Sequence, residues 1–311
     1  MKAIVIEQYG GKDQLKEKEV PIPDVKENQV LVETHATSIN PIDWKVREGN
    51  LKEMLPFDFP IILGWDVAGV IKHVGDKVEN FEEGDRVFAR PATTANGSYA
   101  EYVSVDEDLL AGIPSNISFE EAASVPLAGL TAWQCLVDFG NIKKGDRVLI
   151  HAGAGGVGTF GIQFAKHFGA EVATTASEKN IDFLRSLGAD TVINYKEQDF
   201  EKELSDFDIV LDSLGGEIQQ KSYNVLKKGG RLVSIVAPPD EEEAKEHGIK
   251  AGFLWLEPNG SQLQEIADLM EKRAVKPNVG HTFKFSESGL QQAHELSESH
   301  HAKGKIVISV K

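Results

Sequence analysis

Residues 146–158 read Asp-Arg-Val-Leu-Ile-His-Ala-Gly-Ala-Gly-Gly-Val-Gly, and no other stretch constrains the fold as much. The first half is an apolar run of strand length, the second half is glycine-rich, and residues 157–168 then repeat apolar side chains at helical spacing. The order is strand, tight turn, helix. Gly153, Gly155 and Gly158 fall on the G-x-G-x-x-G spacing, which lets the turn form, lets backbone approach a pyrophosphate and lets the helix pack closely on its strand. With Gly156 and Val157 they are the candidates to hold the phosphates of a dinucleotide at the positive end of that helix.

The end of the second strand bears on which dinucleotide. In such a fold an Asp or Glu there hydrogen-bonds the 2′-hydroxyl of NAD. Here the second strand, residues 171–176, runs out at Thr174-Thr175-Ala176-Ser177, and Glu171 stands at its start, too early for that task. Ser177 can donate a hydrogen bond, Lys179 supplies a charge, and Tyr195, just after a third strand at 191–194, offers a phenolic hydroxyl. These groups suit a 2′-phosphate, so the expected cofactor is NADPH rather than NADH. The competing reading is a helix cap at Ser177 with Lys179 in solvent.

A chain of 311 residues has room for about two domains. Residues 1–118 carry strand-like segments punctuated by turns such as Gly75-Asp76 and Gly84-Asp85, which predicts an all-β domain, a small partly open barrel. From Ser118, where Ser118-Phe119-Glu120-Glu121 resembles a capping box, the pattern turns to α/β. Strands are expected at 147–151, 171–175, 191–194, 208–212 and 231–236, with helices between them and a sixth strand at 253–256, a doubly wound parallel sheet. Leu214, Val236 and Phe253 are cofactor candidates because ligands bind where strands of such a sheet end. The acidic residues 240–250 read as a solvated, mobile excursion, and the strands at 281–285 and 305–310 should rejoin the β domain. The expected domains are therefore 1–118 with 276–311, and 119–275.

A net charge of −16 argues against nucleic acid or an anionic membrane as a partner. No segment has the apolar length of a transmembrane helix, and the expected location is the cytoplasm. A single cysteine, Cys135, makes no internal disulfide or multi-cysteine zinc site and reads as packing. His294, His300 and His301 are expected on an exposed polar helix face rather than around a metal.

Six segments in a fixed order carry a further resemblance. They are Ser38-Ile39-Asn40-Pro41-Ile42-Asp43, Gly64-Trp65-Asp66-Val67-Ala68-Gly69, Gly97-Ser98-Tyr99-Ala100-Glu101-Tyr102-Val103, Leu130-Thr131-Ala132, the glycine motif, and Gly304-Lys305-Ile306-Val307. From end to end the chain resembles the medium-chain dehydrogenase/reductases, in particular their zinc-independent quinone oxidoreductase and alkenal/enone reductase branch. The resemblance implies a GroES-like β-barrel domain beside a Rossmann domain, and a homodimer. It also implies NADPH-dependent hydride transfer to a small-molecule acceptor, an electron-poor alkene or a quinone. Asn40 stands where zinc-dependent members carry a cysteine ligand and Trp65 interrupts their Gly-His-Glu motif, so no metal is expected. Lys45, in an Asn-Pro-x-Asp-x-Lys pattern similar to the enone reductases, is implied to stabilise the substrate carbonyl oxygen. Asn40 would bond substrate or the nicotinamide ribose, and Thr131 would lie near the nicotinamide, while Asp66, Tyr99 and Glu101 read as structural. The alternatives are an enoyl-thioester reductase of lipid metabolism and a non-catalytic NADPH-binding protein.

Overall fold

Short β-branched runs separated by glycine turns build the first part of the chain, because branched side chains pack well on a pleated surface and Gly tolerates tight reversals. In the computed structural model, which describes all 311 residues, these are β1 (Lys2–Ile6), β2 (Lys16–Glu19), β3 (Gln29–Ile39), β4 (Ile61–Ile62), β5 (Val67–Val74), β6 (Arg86–Ala89), β7 (Tyr102–Asp106) and β8 (Leu110–Gly112). One short helix, α1 (Pro41–Arg47), follows β3. Proline at its first turn is tolerated because the amide it lacks has no acceptor there, and the Asp43 carboxylate accepts from the Asn40 amide at 2.7 Å.

Beyond β8 come α2 (Phe119–Ala123), opened by the expected Ser118/Glu121 capping box, and α3 (Pro126–Trp133), which runs on into a π-helical turn at Gln134–Phe139. Six parallel strands follow: β9 (Arg147–Ile150), β10 (Glu171–Ala176), β11 (Thr191–Asn194), β12 (Phe207–Asp212), β13 (Leu226–Ser234) and β14 (Lys250–Phe253). Between them lie α4 (Gly156–His167), α5 (Ile181–Ser186), α6 (Phe200–Glu203), α7 (Gly216–Val225) and α8 (Glu241–His247). The tail adds α9 (Gly260–Glu271), β15 (Val279–Lys284), α10 (Glu287–Glu298) and β16 (Lys305–Ser309).

The chain divides into two compact units, Met1–Leu130 with Pro258–Lys311, and Thr131–Glu257. In the first unit β3 is central, paired antiparallel with β5, β7 and β16. The barrel interior is a cluster built on Val30, Val32, Val67, Ile71, Val87, Val103 and Val105. A smaller sheet, β2-β1-β4, closes over a second apolar cluster that includes Trp65, Leu290 and Ala293. The second unit is one sheet in the order β11-β10-β9-β12-β13-β14, a doubly wound sheet in which connections reverse direction between β9 and β12. The α/β class, the β-domain and the doubly wound sheet expected from the sequence are the ones observed.

Three boundaries differ from expectation. Residues 119–130 and 258–275 belong with the β unit rather than with the parallel sheet, because α2 packs on β3, β5 and β16, and α9 packs on β8. The acidic stretch at 240–250 is ordered: Asp240 caps α8 by accepting from the Glu242 and Glu243 amides, three glutamates suit the helix's positive end, and Ala244 is buried. The sixth strand is Lys250–Phe253 rather than 253–256, since its register follows β13, with Arg231 opposite Lys250 and Ser234 opposite Phe253.

Candidate cofactor and substrate sites

The glycines of the second unit divide their work. A Cβ on Gly153 would lie 2.1 Å from Thr174 Oγ1, and one on Gly158 would lie 2.6 Å from both the Ala152 carbonyl oxygen and the Gly153 Cα, so these two let the turn fold against strand and helix. A Cβ on Gly155 would meet nothing closer than 3.4 Å. That position is open on the protein side, as a backbone that must admit a phosphate requires. Gly156, Val157 and Gly158 begin α4, where the leading amides lack intrahelical acceptors and carry the positive end of the helix dipole.

Only the folded turn shows how this loop is held. Ala152 is left-handed, with φ 51°, a conformation that costs a non-glycine residue about 1 kcal/mol or more. Its amide donates to Thr175 Oγ1 at 3.1 Å. The same hydroxyl faces His151 Nδ1 at 3.2 Å, and His151 Nε2 lies 2.9 Å from Ser222 Oγ. Ser222 spends its own proton on the Ile218 carbonyl, so the network assigns the proton to Nε2 and makes Nδ1 the acceptor for Thr175. Burial holds His151 down to about pKa 4, neutral at ordinary pH. Its signal in the sequence was a polar residue ending an apolar strand.

Ser177, Lys179 and Tyr195 stand together at the carboxyl ends of β10 and β11, where Ala176 pairs with Asn194 and the Tyr195 amide donates to Ala176. Ser177 Oγ accepts a long 3.4 Å bond from Asn180, and Lys179 and Tyr195 are exposed. Glu171 is at the opposite end of β10, paired with Arg147. Leu214 and Val236 follow β12 and β13, Phe253 ends β14, and each is at least 39% exposed. With Tyr195 and Trp255 they make five of the eight large exposed apolar side chains of the chain, all at or just beyond the carboxyl ends of one sheet's strands. Trp255 was not among the candidates read from the sequence. Thr131 is 5% exposed within α3, a buried position.

In the first unit the polar residues of the motifs form a buried row. Asp66 Oδ2 accepts from Ser38 Oγ at 2.6 Å, Asn40 Nδ2 at 2.7 Å and Lys305 Nζ at 3.4 Å, and Oδ1 accepts from the Leu127 amide at 2.7 Å. Lys305 also donates to Asn40 Oδ1 and to the Ile39 carbonyl. The Asn40 side chain is thus held between an anion and a cation and is 2% exposed. Lys45 is half-buried, its ammonium 5.8 Å from the Trp44 ring centroid. Trp65 is fully buried, and its Nε1 donates to the Thr94 carbonyl. Cys135 is buried too, and burial pushes its thiol up. No three His, Cys, Asp or Glu side chains converge to hold a metal.

His294 corrects an expectation. It is fully buried, because α10 turns Gly289, Leu290, Ala293 and His294 inward at helical spacing. Arg47 has no acceptor atom, so its Nη1 donates to His294 Nδ1 at 3.0 Å, Nε2 donates to Tyr99 Oη at 3.1 Å, and Tyr99 donates to Asp43 Oδ2 at 2.8 Å. Desolvation holds His294 down to about 3 and lifts Asp43 to about 7. His300 and His301 lie past the end of α10 and are exposed, as expected.

The signs of these shifts oppose one another. His294 and His151 are depressed below the ordinary value of about 6.5, so their stabilisation is whole above that pH and is lost as pH falls toward their folded values. Asp43 is raised, so its contribution is whole below about pH 3.9 and is lost as pH rises through 7. Urea unfolding of His294→Gln between about pH 6 and 4 should show a shallower acid loss than the parent, by roughly 1.4 kcal/mol per pH unit. An unchanged slope would mean that His294 does not remain neutral in the fold.

Comparison with known proteins agrees with both units. Residues 26–115 match the alcohol dehydrogenase GroES-like domain, and residues 187–308 match a domain described as zinc-binding dehydrogenase. The NADPH-dependent alkenal/one oxidoreductase of Arabidopsis thaliana is 39% identical over 99% of this chain and 79% of its own length. The 2-methylene-furan-3-one reductase of Solanum lycopersicum is 40% identical over the same shares. The solved structure of the quinone oxidoreductase from Coxiella burnetii superposes with a TM-score of 0.90 at 38% identity, covering 100% of this chain and 99% of that one. The chain belongs to the zinc-independent medium-chain dehydrogenase/reductases. In this member of the quinone and enone reductase branch the side chains of Asn40 and Trp65 are both committed to protein partners. No helix of this reductase is long and apolar enough to cross a membrane.

Proposed function

We propose that this protein reduces electron-poor alkenes, enones and alkenals, or quinones with NADPH and without zinc. The observation that carries the reading is the carboxyl edge of the parallel sheet. It combines the open Gly155 at the start of α4 with Ser177, Lys179 and Tyr195 where β10 and β11 end, and the only carboxylate of β10 lies at its far end. Gly153, Gly155, Gly156, Val157 and Gly158 would hold the pyrophosphate, and Ser177, Lys179 and Tyr195 the 2′-phosphate. Leu214, Val236 and Phe253 would give apolar contact, and Thr131 would lie near the nicotinamide.

When bound, NADPH supplies the hydride that goes to the β carbon of an enone. The alkene electrons then move toward the carbonyl, and negative charge builds on its oxygen. Lys45 is the proposed donor to that oxygen, and Asn40 the proposed hydrogen-bond partner of substrate or nicotinamide ribose. The final proton comes from water. We further propose a homodimer formed through the edge strand β14, and residence in the cytoplasm.

The test is NADPH oxidation with methyl vinyl ketone, crotonyl thioester and a naphthoquinone, together with direct NADPH and NADH affinities. Enone turnover with tighter NADPH than NADH binding is expected. Lys45→Met should lower enone kcat/KM by about a hundredfold, with NADPH affinity unchanged. Tight NADPH binding without any turnover would instead mark a non-catalytic binding protein, and turnover of the thioester alone an enoyl-thioester reductase.

A further inference from the structure

Arg90 is a buried cation that no carboxylate contacts directly. It follows β6, is 2% exposed, and forms no ion pair; its one hydrogen bond runs from Nη1 to the Pro91 carbonyl, and Nε has no partner at all. Burying an ionised group unpaired is costly, so side chains in this state are held for a purpose or balanced by something outside the chain.

Sheet register says where the guanidinium belongs. Thr37 pairs with Val67 and Val67 pairs with Ala89, so Ser38, Asp66 and Arg90 form the next row across β3, β5 and β6. This is the row that contains the Asp66 network and leads to Asn40. Asp66 is already taken by Ser38, Asn40, Lys305 and the Leu127 amide, and the second nearby acid, Asp43, accepts from Tyr99 and the Asn40 amide through Oδ2 alone, its buried Oδ1 having no partner. Lys305 balances Asp66. Arg90 is attracted by both carboxylates yet hydrogen-bonded to neither, and its Nε stays unpartnered.

We propose that Arg90 receives an oxygen of the acceptor substrate that carries or acquires negative charge. The inference rests on the reductase reading above and adds a residue to it. As hydride forms the new C–H bond at the β carbon, the C=C pair shifts and the carbonyl π pair moves onto oxygen. NADPH is oxidised, the enone is reduced to its enolate, and water returns the proton to the α carbon. The Arg90 guanidinium donates to that oxygen, or to a carboxylate the substrate already bears.

The experiment compares Arg90→Met and Arg90→Lys with the parent on two acceptors, neutral methyl vinyl ketone and the carboxylate enone 4-oxopent-2-enoate. Thermal midpoint and NADPH affinity are read for each protein. Enone turnover by the parent tests the reductase reading by itself. For Arg90→Met we expect kcat to fall about a hundredfold on both acceptors if the charge develops on the carbonyl. If the oxygen is a fixed carboxylate, KM should rise for the oxo-acid alone; either result supports the proposal. Arg90→Lys and added guanidinium should restore part of the loss. NADPH affinity should hold, and the melting point should stay or rise, because a buried unpaired charge has been removed. Unchanged kinetics on both acceptors, or a loss that follows a lowered melting point and resists guanidinium, would overturn the assignment.

Discussion

Gly155→Val should weaken NADPH binding by about two orders of magnitude, roughly 2.7 kcal/mol, while leaving the melting point within a few degrees of the parent. Gly158→Val should do the reverse in order of cause, unfolding the turn first. At Gly155 the backbone is extended, with φ −79° and ψ 174°, which a β-branched residue adopts freely, and the added Cβ meets no protein atom closer than 3.4 Å. The isopropyl group would therefore occupy the space proposed for the phosphate. At Gly158 the Cβ would press on a carbonyl oxygen and a Cα, both 2.6 Å away and both backbone, so neither can swing aside. An overpacked turn of this kind costs about 3 kcal/mol or more, which lowers the melting point by about 10 °C in a unit of this size. Cofactor titration by fluorescence beside calorimetry separates the two variants. Equal destabilisation by both would remove the division of labour between these glycines.

Lys305→Met should cost about 3–5 kcal/mol, because it leaves the Asp66 carboxylate buried with its cation gone. Asp66 is fully buried and Lys305 is 4% exposed, so water cannot replace the lost charge. Desolvation already holds the Lys305 amine below its ordinary range, which shows how much the pair gives up to be there. Adding Asp66→Asn to Lys305→Met should recover part of the loss, since the carboxylate that the first change left without its cation is then gone. Denaturant midpoints of the single and double variants decide the matter. A double variant no better than the single would mean that Lys305 acts by filling space rather than by pairing.

Much of the second unit was legible in the sequence because its signals are local. Apolar runs of strand length alternate with helical spacing, and the glycine positions report contacts within one strand–turn–helix unit. The limits of that reading are instructive at residues 240–250, where charge alone pointed to a solvated segment and a capped helix with one buried alanine was found. His294 shows the same limit from the other side. Its neighbours Glu295, Ser297 and Glu298 are polar, and only the spacing from Leu290 revealed an inward face.

By itself the sequence determined the class of fold, the place of the glycine-rich turn, and the family. Those follow from periods of two and of 3.6 residues and from short motifs. Only the tertiary structure decided which polar side chains share an environment. Asn40 and Lys305 lie 265 positions apart yet share a hydrogen bond, and Arg47, Tyr99 and His294 come from three distant segments. Burial, and with it the protonation state of each of these groups, is a property of what packs around them. No local pattern encodes it.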